Sequence, residues 1–375
     1  MRKIFILIFT LISLIALIYG IINSQWYLLA IPIGLLFGFF LQKGDLCASS
    51  AMSEAVMYKD RSKIWGFWVA IVTTMLSFAF IDYFGLINLN PKPLLWMSSI
   101  VGGLIFGTGM VLAGGCISGV VYKTGTGNIN SIMALMAVPF GVAAVEFGPL
   151  NEFHLFMKNF LIQGDNGKSV TLYSITGLPY LSLAVAFALL TALYVYFRRN
   201  KLQGSFNMAL KKSWTPWIAG IAIGILGAFA YVTSDQSGRN YGLGVTHGVL
   251  QYSLIATEKS ENLQYVTEKK EKFKPSKTRP DAYNEKYQAD IKKSEIPKKK
   301  ISVWLVLLVL SMIPGAWMAG ALSGKSKLLP KDPAQVLTAL LGGLMIGAGA
   351  AFAGGCSIGN ILSGWGMMSV GNFLF

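Results

Sequence analysis

The sequence contains one glycine-rich stretch twice, as GGLIFGTGMVLAGGCISG at residues 102–119 and as GGLMIGAGAAFAGGCSIG at residues 342–359. The two copies align at a constant offset of 240 and are identical at ten of eighteen positions. Each copy is apolar, carries spaced glycines and ends in Gly-Gly-Cys before its last three residues. Because the chain has three cysteines in all, two of them at matching repeat positions indicate a duplicated architecture in which the thiols share a task.

The composition around this repeat is typical of an integral membrane protein. Hydrophobic residues make up 54% of the 375 residues and charged residues 13%, about half the charged fraction of a soluble protein. Runs of about twenty apolar residues are long enough to cross a bilayer as helices. The first run has no small-residue cleavage site, so we predict a retained helix rather than a signal peptide. The predicted spans are 4–23, 27–46, 64–87, 94–113, 129–148, 172–197, 214–232, 302–322 and 335–353.

The net charge of +15 has two interpretations. A positive-inside bias together with a basic loop would account for it, and so would an attractive potential for an anionic substrate. Residues 257–300 hold thirteen Lys or Arg and eight Asp or Glu, which predicts a charged, structureless cytoplasmic loop. No basic face joins an aromatic platform, so nucleic-acid binding is not predicted. No phosphate-binding P-loop supports ATP hydrolysis.

The repeat divides the membrane portion into two halves. We predict that residues 1–200 form the first half with an extra N-terminal helix, and that 201–256 begin the second half. Residues 257–300 are an insertion, and 301–375 complete the second half. Paired glycines at the end of an apolar run favour a helix break. The sequence therefore predicts an all-α, pseudo-symmetric bundle of transmembrane helices in which short broken or re-entrant helices carry the cysteine motifs.

The Gly-Gly-Cys ends of the repeat are the main candidate site. A helix break at membrane depth leaves backbone N–H groups whose partner in transporters is often an anion. A thiol in apolar surroundings is neutral and offers a weak donor and a polarizable surface, which would hold a sulfur-containing anion without trapping it. Small buried cysteines without any function would give the same pattern. The candidate substrate-contacting residues are Gly114, Gly115, Gly354, Gly355, Cys47, Cys116 and Cys356.

Several ionisable residues lie near the predicted breaks. Lys43 and Asp45 precede Cys47 and mark either a membrane boundary or a charged pore mouth. An ionisable residue inside a membrane segment is a functional candidate. The dispersed carboxylates and two histidines predict neither a metal site nor a cofactor. The candidate pore-lining residues are Lys43, Asp45, Glu54, Asp235, Arg239 and His247.

Three segments resemble the cysteine motifs of the YeeE/YedE family. They are LFGFFLQKGDLCASSA at 36–51, VGGLIFGTGMVLAGGCISG at 101–119 and LGGLMIGAGAAFAGGCSIG at 341–359. The resemblance covers most of the membrane portion. Family members often carry an Arg shortly after the first motif, where this chain has Ser53 followed by Glu54.

The resemblance implies a fold, a substrate class and a partner. The fold would be a compact bundle of pseudo-symmetric halves whose short helices meet near the middle of the bacterial inner membrane. The activity would be uptake of thiosulfate or, in some branches, a task in selenium metabolism. Cys47, Cys116 and Cys356 would contact the passing substrate. A small cytoplasmic sulfur carrier of the TusA type would cooperate with the transporter.

Several functions remain open on the sequence alone. The leading hypothesis is import of a sulfur-containing anion, most simply thiosulfate, past three neutral thiols, with selenium compounds as a variant substrate. A soft-metal channel would use the cysteines as Cu(I)-type ligands. A membrane thiol enzyme that passes sulfur to a carrier would need a cysteine of low pKa.

Overall fold

The structure is a computed structural model that describes residues 2–162, 164, 169–198, 213–258, 262–269, 299–324, 326 and 333–375. The helices of the first half are α1 (Arg2–Ile22), α2 (Ala30–Gly44), α3 (Ala48–Met57), α4 (Ser62–Tyr83), α5 (Trp96–Ala113), α6 (Ile117–Gly125), α7 (Ile129–Glu146), α8 (Asn151–Lys158), α9 (Leu172–Thr176) and α10 (Tyr180–Arg198), with a 3₁₀ turn at Trp26–Leu29. The helices of the second half are α11 (Pro216–Gln236), α12 (Thr246–Thr257), α13 (Val303–Leu322), α14 (Pro333–Phe352), a π-helix (Ile358–Gly364) and α15 (Val370–Phe373).

Helices dominate the described chain. Within it, nine helical segments are long and apolar enough to cross a membrane, which confirms the prediction of an all-α integral membrane protein. The described strands form two short pairs. The first pair is antiparallel and lies near the start of α5; it consists of β1 (Leu94–Leu95) and β2 (Leu161–Ile162). The second pair is parallel and consists of β3 (Leu263–Val266) and β4 (Lys299–Ser302).

The two copies of the repeated stretch pack against each other in opposite directions. Gly102 at the start of α5 contacts Ala353 just after the end of α14, and Ala113 at the end of α5 contacts Gly342 near the start of α14. The two halves also exchange helices, because α2 packs along α13 and α4 packs along α11. The two copies therefore run in opposite directions within intertwined halves, a direction that the sequence repeat left open.

The helix directions define two faces of the bundle. The ends of α2, α5, α10 and α13 and the starts of α4, α11 and α14 lie together on one side. Contacts between Lys63 and Asp45, between Lys43 and Ser323 and between the rings of Trp65 and Tyr194 join these ends. We name this side the basic face, since the described residues that meet there include Lys43, Lys59, Arg61, Lys63 and Lys123. The other side is the opposite face.

The described ends of the charged insertion differ from the expectation of a structureless cytoplasmic loop. Strand β3 pairs with β4 over four residues each, and the sheet lies beside the start of α13 on the opposite face. Residues 270–298 lie outside the described residues. The described ends of the insertion and the turn between α3 and α4 therefore lie on different sides of the bundle.

Candidate functional site

Each cysteine follows the same backbone turn. A long helix ends, the residue two positions before the cysteine takes a left-handed conformation, and the next residue donates its N–H to the carbonyl five positions earlier. The carbonyl of each cysteine then accepts the N–H of the residue four positions later and begins the following helix. The left-handed residues are Asp45, Gly114 and Gly354, at φ of 46°, 67° and 68°.

Glycine fits this turn because it has no Cβ to clash in the left-handed region. The left-handed conformation of Gly114 and Gly354 thus explains the helix break that was predicted at each Gly-Gly-Cys. Asp45 takes the same conformation in the first motif, where no glycine pair announces it. Aspartate is among the few other residues that tolerate this region.

The breaks of the first half form a closed thiol pair. The Sγ atoms of Cys47 and Cys116 lie 3.9 Å apart, and the Cys116 thiol also contacts the Ser118 hydroxyl at 3.2 Å. Cys47 is 0% exposed and Cys116 is 1% exposed. Gly119 packs against both thiols so closely that a Cβ there would lie 2.4 Å from the Cys47 Sγ. A larger residue at this position would force the Cys47 thiol to shift.

The break at Cys356 borders a cavity on the opposite face, and Cys356 itself is 0% exposed behind the cavity wall. The cavity has a volume of about 380 Å³ and lies between this break and the loop that connects α11 to α12. Gly359, the counterpart of Gly119, has no atom within 4 Å of the position its Cβ would take. The same repeat position is therefore filled in one half and open in the other.

The cavity is cationic. Lys92, Arg239, Lys300 and His247 line it, and the described lining residues include no Asp or Glu. Burial lowers the pKa of Lys92 to about 8, and the nearby Arg239 guanidinium contributes a smaller decrease. A low-dielectric wall with fixed positive charge raises the local concentration of small anions.

The cationic groups are held in place by backbone oxygens and aromatic rings. Lys92 donates to the carbonyl of Gly354 at 2.5 Å and to Asn360 Oδ1 at 2.9 Å. Arg239 Nη1 donates to the carbonyls of Tyr241 and Gly242 at 3.1 and 2.8 Å. The Tyr241 ring lies 5.0 Å from Lys92 Nζ and 5.5 Å from the Arg239 guanidinium. Both cations are thereby oriented before an anion arrives.

The cavity also offers neutral donors. Thr246 lines it and is 2% exposed, and its hydroxyl has no hydrogen-bond partner among the described residues. Thr246 is also the first residue of α12, whose twelve residues place the positive end of a helix dipole at the cavity wall. Together with the cations and the Cys356 thiol, these groups suit a small oxyanion that carries a soft atom.

Comparisons with known proteins point to the same chemistry. Residues 43–375 match a family model described as "Sulphur transport". The chain belongs to that sulphur transport family. Its relatives in the family include "Thiosulfate transporter TsuA" of Spirochaeta thermophila, which is 30% identical over 91% of this chain and 92% of the relative. The protein of the same name in Escherichia coli is 27% identical over 90% of this chain and 86% of its own length.

A shorter match connects the chain to a second named transporter. "Probable transporter YedE" of Escherichia coli is 31% identical over 105 residues, which is 27% of this chain and 25% of the relative. The family membership confirms the resemblance to the YeeE/YedE family, and the named relatives are transporters.

The structure separates the candidate ionisable residues of this family member into two groups. Arg239 and His247 line the cavity, and His247 Nε2 lies 3.2 Å from Glu146 Oε1. Asp235 does not line it; this buried carboxylate pairs with Lys269 beside β3 and ties the insertion to α11. Only part of the segment 235–247 therefore faces the candidate substrate.

The other three candidates lie on the basic face. Lys63 Nζ bridges Asp45 and Glu54 at 2.5 and 2.6 Å, whereas Lys43 Nζ donates to the Ser323 hydroxyl at 2.8 Å. Tyr122 donates to the other oxygen of Asp45 at 2.9 Å. This network joins the breaks of Cys47 and Cys116 rather than lining the cavity.

Sequence analysis missed Lys92, Lys300, Thr246 and Tyr241. Lys92 stands alone between two prolines just before the first repeat copy, yet it binds the end of the second copy. Lys300 sits in the charged insertion, where one lysine among many gives no signal. The single available hint was that Lys92 is a lone lysine beside a predicted membrane span. That span belongs to the first repeat copy, whereas Lys92 contacts the second.

Proposed function

We propose that this protein imports thiosulfate across the bacterial inner membrane. The observation that carries the proposal is the cationic cavity in which Lys92, Arg239 and Thr246 surround the break at Cys356. Thiosulfate is a small dianion with oxygen atoms that suit these donors and a terminal sulfur that suits a thiol. The relatives named as thiosulfate transporters cover nearly the whole chain and support this choice of anion.

The proposed orientation places the cavity outside the cell. Short basic turns favour the cytoplasm, and the basic face holds the turn between α3 and α4 and the end of α10 at Arg198. Long loops follow the rule less strictly, so the insertion on the opposite face does not argue against this orientation. The substrate then enters from the outside at Cys356 and leaves toward the cytoplasm past Cys116 and Cys47.

The thiols serve as successive weak contacts along this path. All three cysteines belong to one continuous hydrophobic cluster. A neutral thiol supplies a weak hydrogen bond and a polarizable surface, so the sulfur end of the anion is held without a covalent bond. Lys123 Nζ donates to the carbonyl of Gly114 at 2.7 Å, the counterpart of the bond from Lys92 to Gly354. One lysine therefore marks each end of the path.

A sulfur carrier of the TusA type would then meet a released anion rather than a protein-bound sulfur. The thiols of Cys47 and Cys116 are buried, and no carrier cysteine could reach them without opening the bundle. This burial also counts against a thiol enzyme. Among the described residues, no group of three or more His, Cys, Asp or Glu side chains could hold a metal ion, which leaves the soft-metal hypothesis with the thiols alone.

The test is labelled-thiosulfate uptake in a bacterial host that lacks its own thiosulfate importers. We expect uptake by the unmodified protein and strongly reduced uptake by Cys116→Ser and by Cys356→Ser, although both variants fold. Lys92→Met should raise the KM about tenfold or more, because a hydrogen bond to a charged group contributes about 1.5–3 kcal/mol. Lys158→Met removes an exposed lysine of the same face and is the matched control.

Two outcomes would contradict parts of the proposal. Full uptake by both serine variants would remove the thiols from the mechanism. Absence of uptake by a well-expressed, unmodified protein would remove thiosulfate as the substrate and favour selenium compounds, which are tested in the same host.

A further inference from the structure

The segment after Cys356 differs from its counterpart in the first half. The chain forms a π-helix over Ile358–Gly364, whereas the segment after Cys116 is the regular helix α6. π-Helical turns are rare and occur frequently at functional sites. The fourth residue after the cysteine is Asn360 in the second half and Val120 in the first, so the repeat is broken at this position.

Asn360 is 2% exposed and all of its polar groups are bonded. Its N–H donates to the Cys356 carbonyl at 2.8 Å, and its Nδ2 donates to the Gly355 carbonyl at 2.9 Å. Its Oδ1 accepts from Lys92 Nζ at 2.9 Å. The Asn360 side chain therefore connects the cation of a distant loop to the backbone just before the Cys356 thiol.

We propose that Asn360 is a positioning residue that fixes the Lys92 ammonium beside Cys356 and so sets the affinity of the cavity for a small dianion. This role rests on the proposed function of the cavity. A lysine side chain has several rotatable bonds, and the carbonyl of Gly354 alone fixes one of its N–H directions. The amide oxygen of Asn360 fixes a second direction and leaves the third N–H for the substrate.

The charged groups around Lys92 decide how its titration responds to a change at residue 360. Arg239 and the Tyr241 ring face Lys92 from the loop before α12, and the Cys356 thiol faces it from the break. Lys300 of β4 and His247 of α12 line the same cavity. The described lining contains no carboxylate, so a carboxylate introduced at residue 360 would be the nearest negative charge to Lys92.

The test compares Asn360→Asp with Asn360→Leu in the uptake assay. Aspartate keeps the acceptor and adds a negative charge beside the Lys92 ammonium. The pH above which uptake declines, called the pH limit below, should therefore rise by about one unit. Leucine removes the acceptor and should lower the pH limit. Both variants should raise the KM, the first by repelling the anion and the second by freeing the lysine. If Asn360 had a structural role alone, the two substitutions would not move the pH limit in opposite directions.

The controls separate this role from general packing and from the proposed anion site. Ser363→Ala removes a buried hydrogen bond of the same π-helix, the one to the Leu243 carbonyl, and should lower stability without moving the pH limit. If Lys92→Met raises the KM but neither Asn360 variant moves the limit, the role of Asn360 is overturned alone. An unchanged KM in Lys92→Met would overturn the anion site and the role of Asn360 with it. Should either Asn360 variant fail to fold, the other variant still decides by the direction of its shift.

Discussion

At the scale of single residues, Gly119 and Gly359 show how two identical positions acquire different tasks. A Cβ on Gly119 would lie 2.4 Å from the Cys47 Sγ, whereas a Cβ on Gly359 would meet open space. We expect Gly119→Ala to lower the free energy of unfolding by about 1–3 kcal/mol through overpacking. Uptake should fall because the thiol pair is displaced. Thermal unfolding of the purified protein and thiosulfate uptake measure the two effects.

Gly359→Ala is the matched control for this prediction. The added methyl group enters the cavity, so the thermal midpoint should stay near that of the unmodified protein even if the KM changes. Equal thermal midpoints in Gly119→Ala and the unmodified protein would show that the thiol pair is not closely packed.

The titration of Lys92 predicts a pH dependence of uptake. Burial lowers its pKa to about 8, so the ammonium is charged below that pH and its charge is lost as the pH rises through it. Uptake at low thiosulfate concentration should therefore decline as the external pH passes about 8. Lys92→Arg should remove this decline, because a guanidinium stays charged far above that pH. An identical decline in both proteins would assign it to another group.

At the scale of helices, glycine sets the closest approach between the two halves. A Cβ on Gly38 of α2 would lie 2.1 Å from the Met312 carbonyl oxygen of α13, and one on Gly315 would lie 2.1 Å from the Leu35 carbonyl oxygen. Such contacts between small residues stabilise helix pairs in membranes. Gly38→Ala and Gly315→Ala should each force the helices apart and lower the thermal midpoint.

Gly107 supplies the control for these two variants. It belongs to the repeated stretch, yet no atom lies within 4 Å of the position its Cβ would take. Gly107→Ala should be neutral or should stabilise α5 by about 0.5–1 kcal/mol, because alanine costs less backbone entropy in a helix. An equal decrease of the thermal midpoint in Gly107→Ala and Gly38→Ala would mean that the loss of glycine itself, rather than the loss of the helix contact, causes the destabilisation.

At the scale of the whole molecule, the cavity and the described ends of the charged insertion lie on one face. The proposed orientation predicts that Asn262→Cys, just before β3, reacts with a membrane-impermeant maleimide in intact cells. Asp60→Cys, in the turn before α4, should react after the membrane is permeabilised. The native cysteines are buried, so the unmodified protein gives the background. The reverse pattern would invert the proposed direction of transport.

Much of this molecule follows from the sequence by itself. Long apolar runs must form helices in a bilayer, because lipid offers no hydrogen bonds to an open backbone. The repeat determined the two halves, and the paired glycines at 114 and 354 determined where the helices break, since glycine adopts the left-handed turn without steric cost. The cysteines were singled out by their places in the repeat and in the resemblance, and their contact with the substrate stays a prediction.

The tertiary structure decided which half is open. Cys116 and Cys356 have the same local sequence, but one packs against Cys47 and the other borders a cavity. The groups that make this difference lie far away along the chain: Lys92 reaches Gly354 across 262 residues. Periodicity and spacing report local geometry, whereas the charge beside a thiol depends on which distant segments the packing of the two halves brings together.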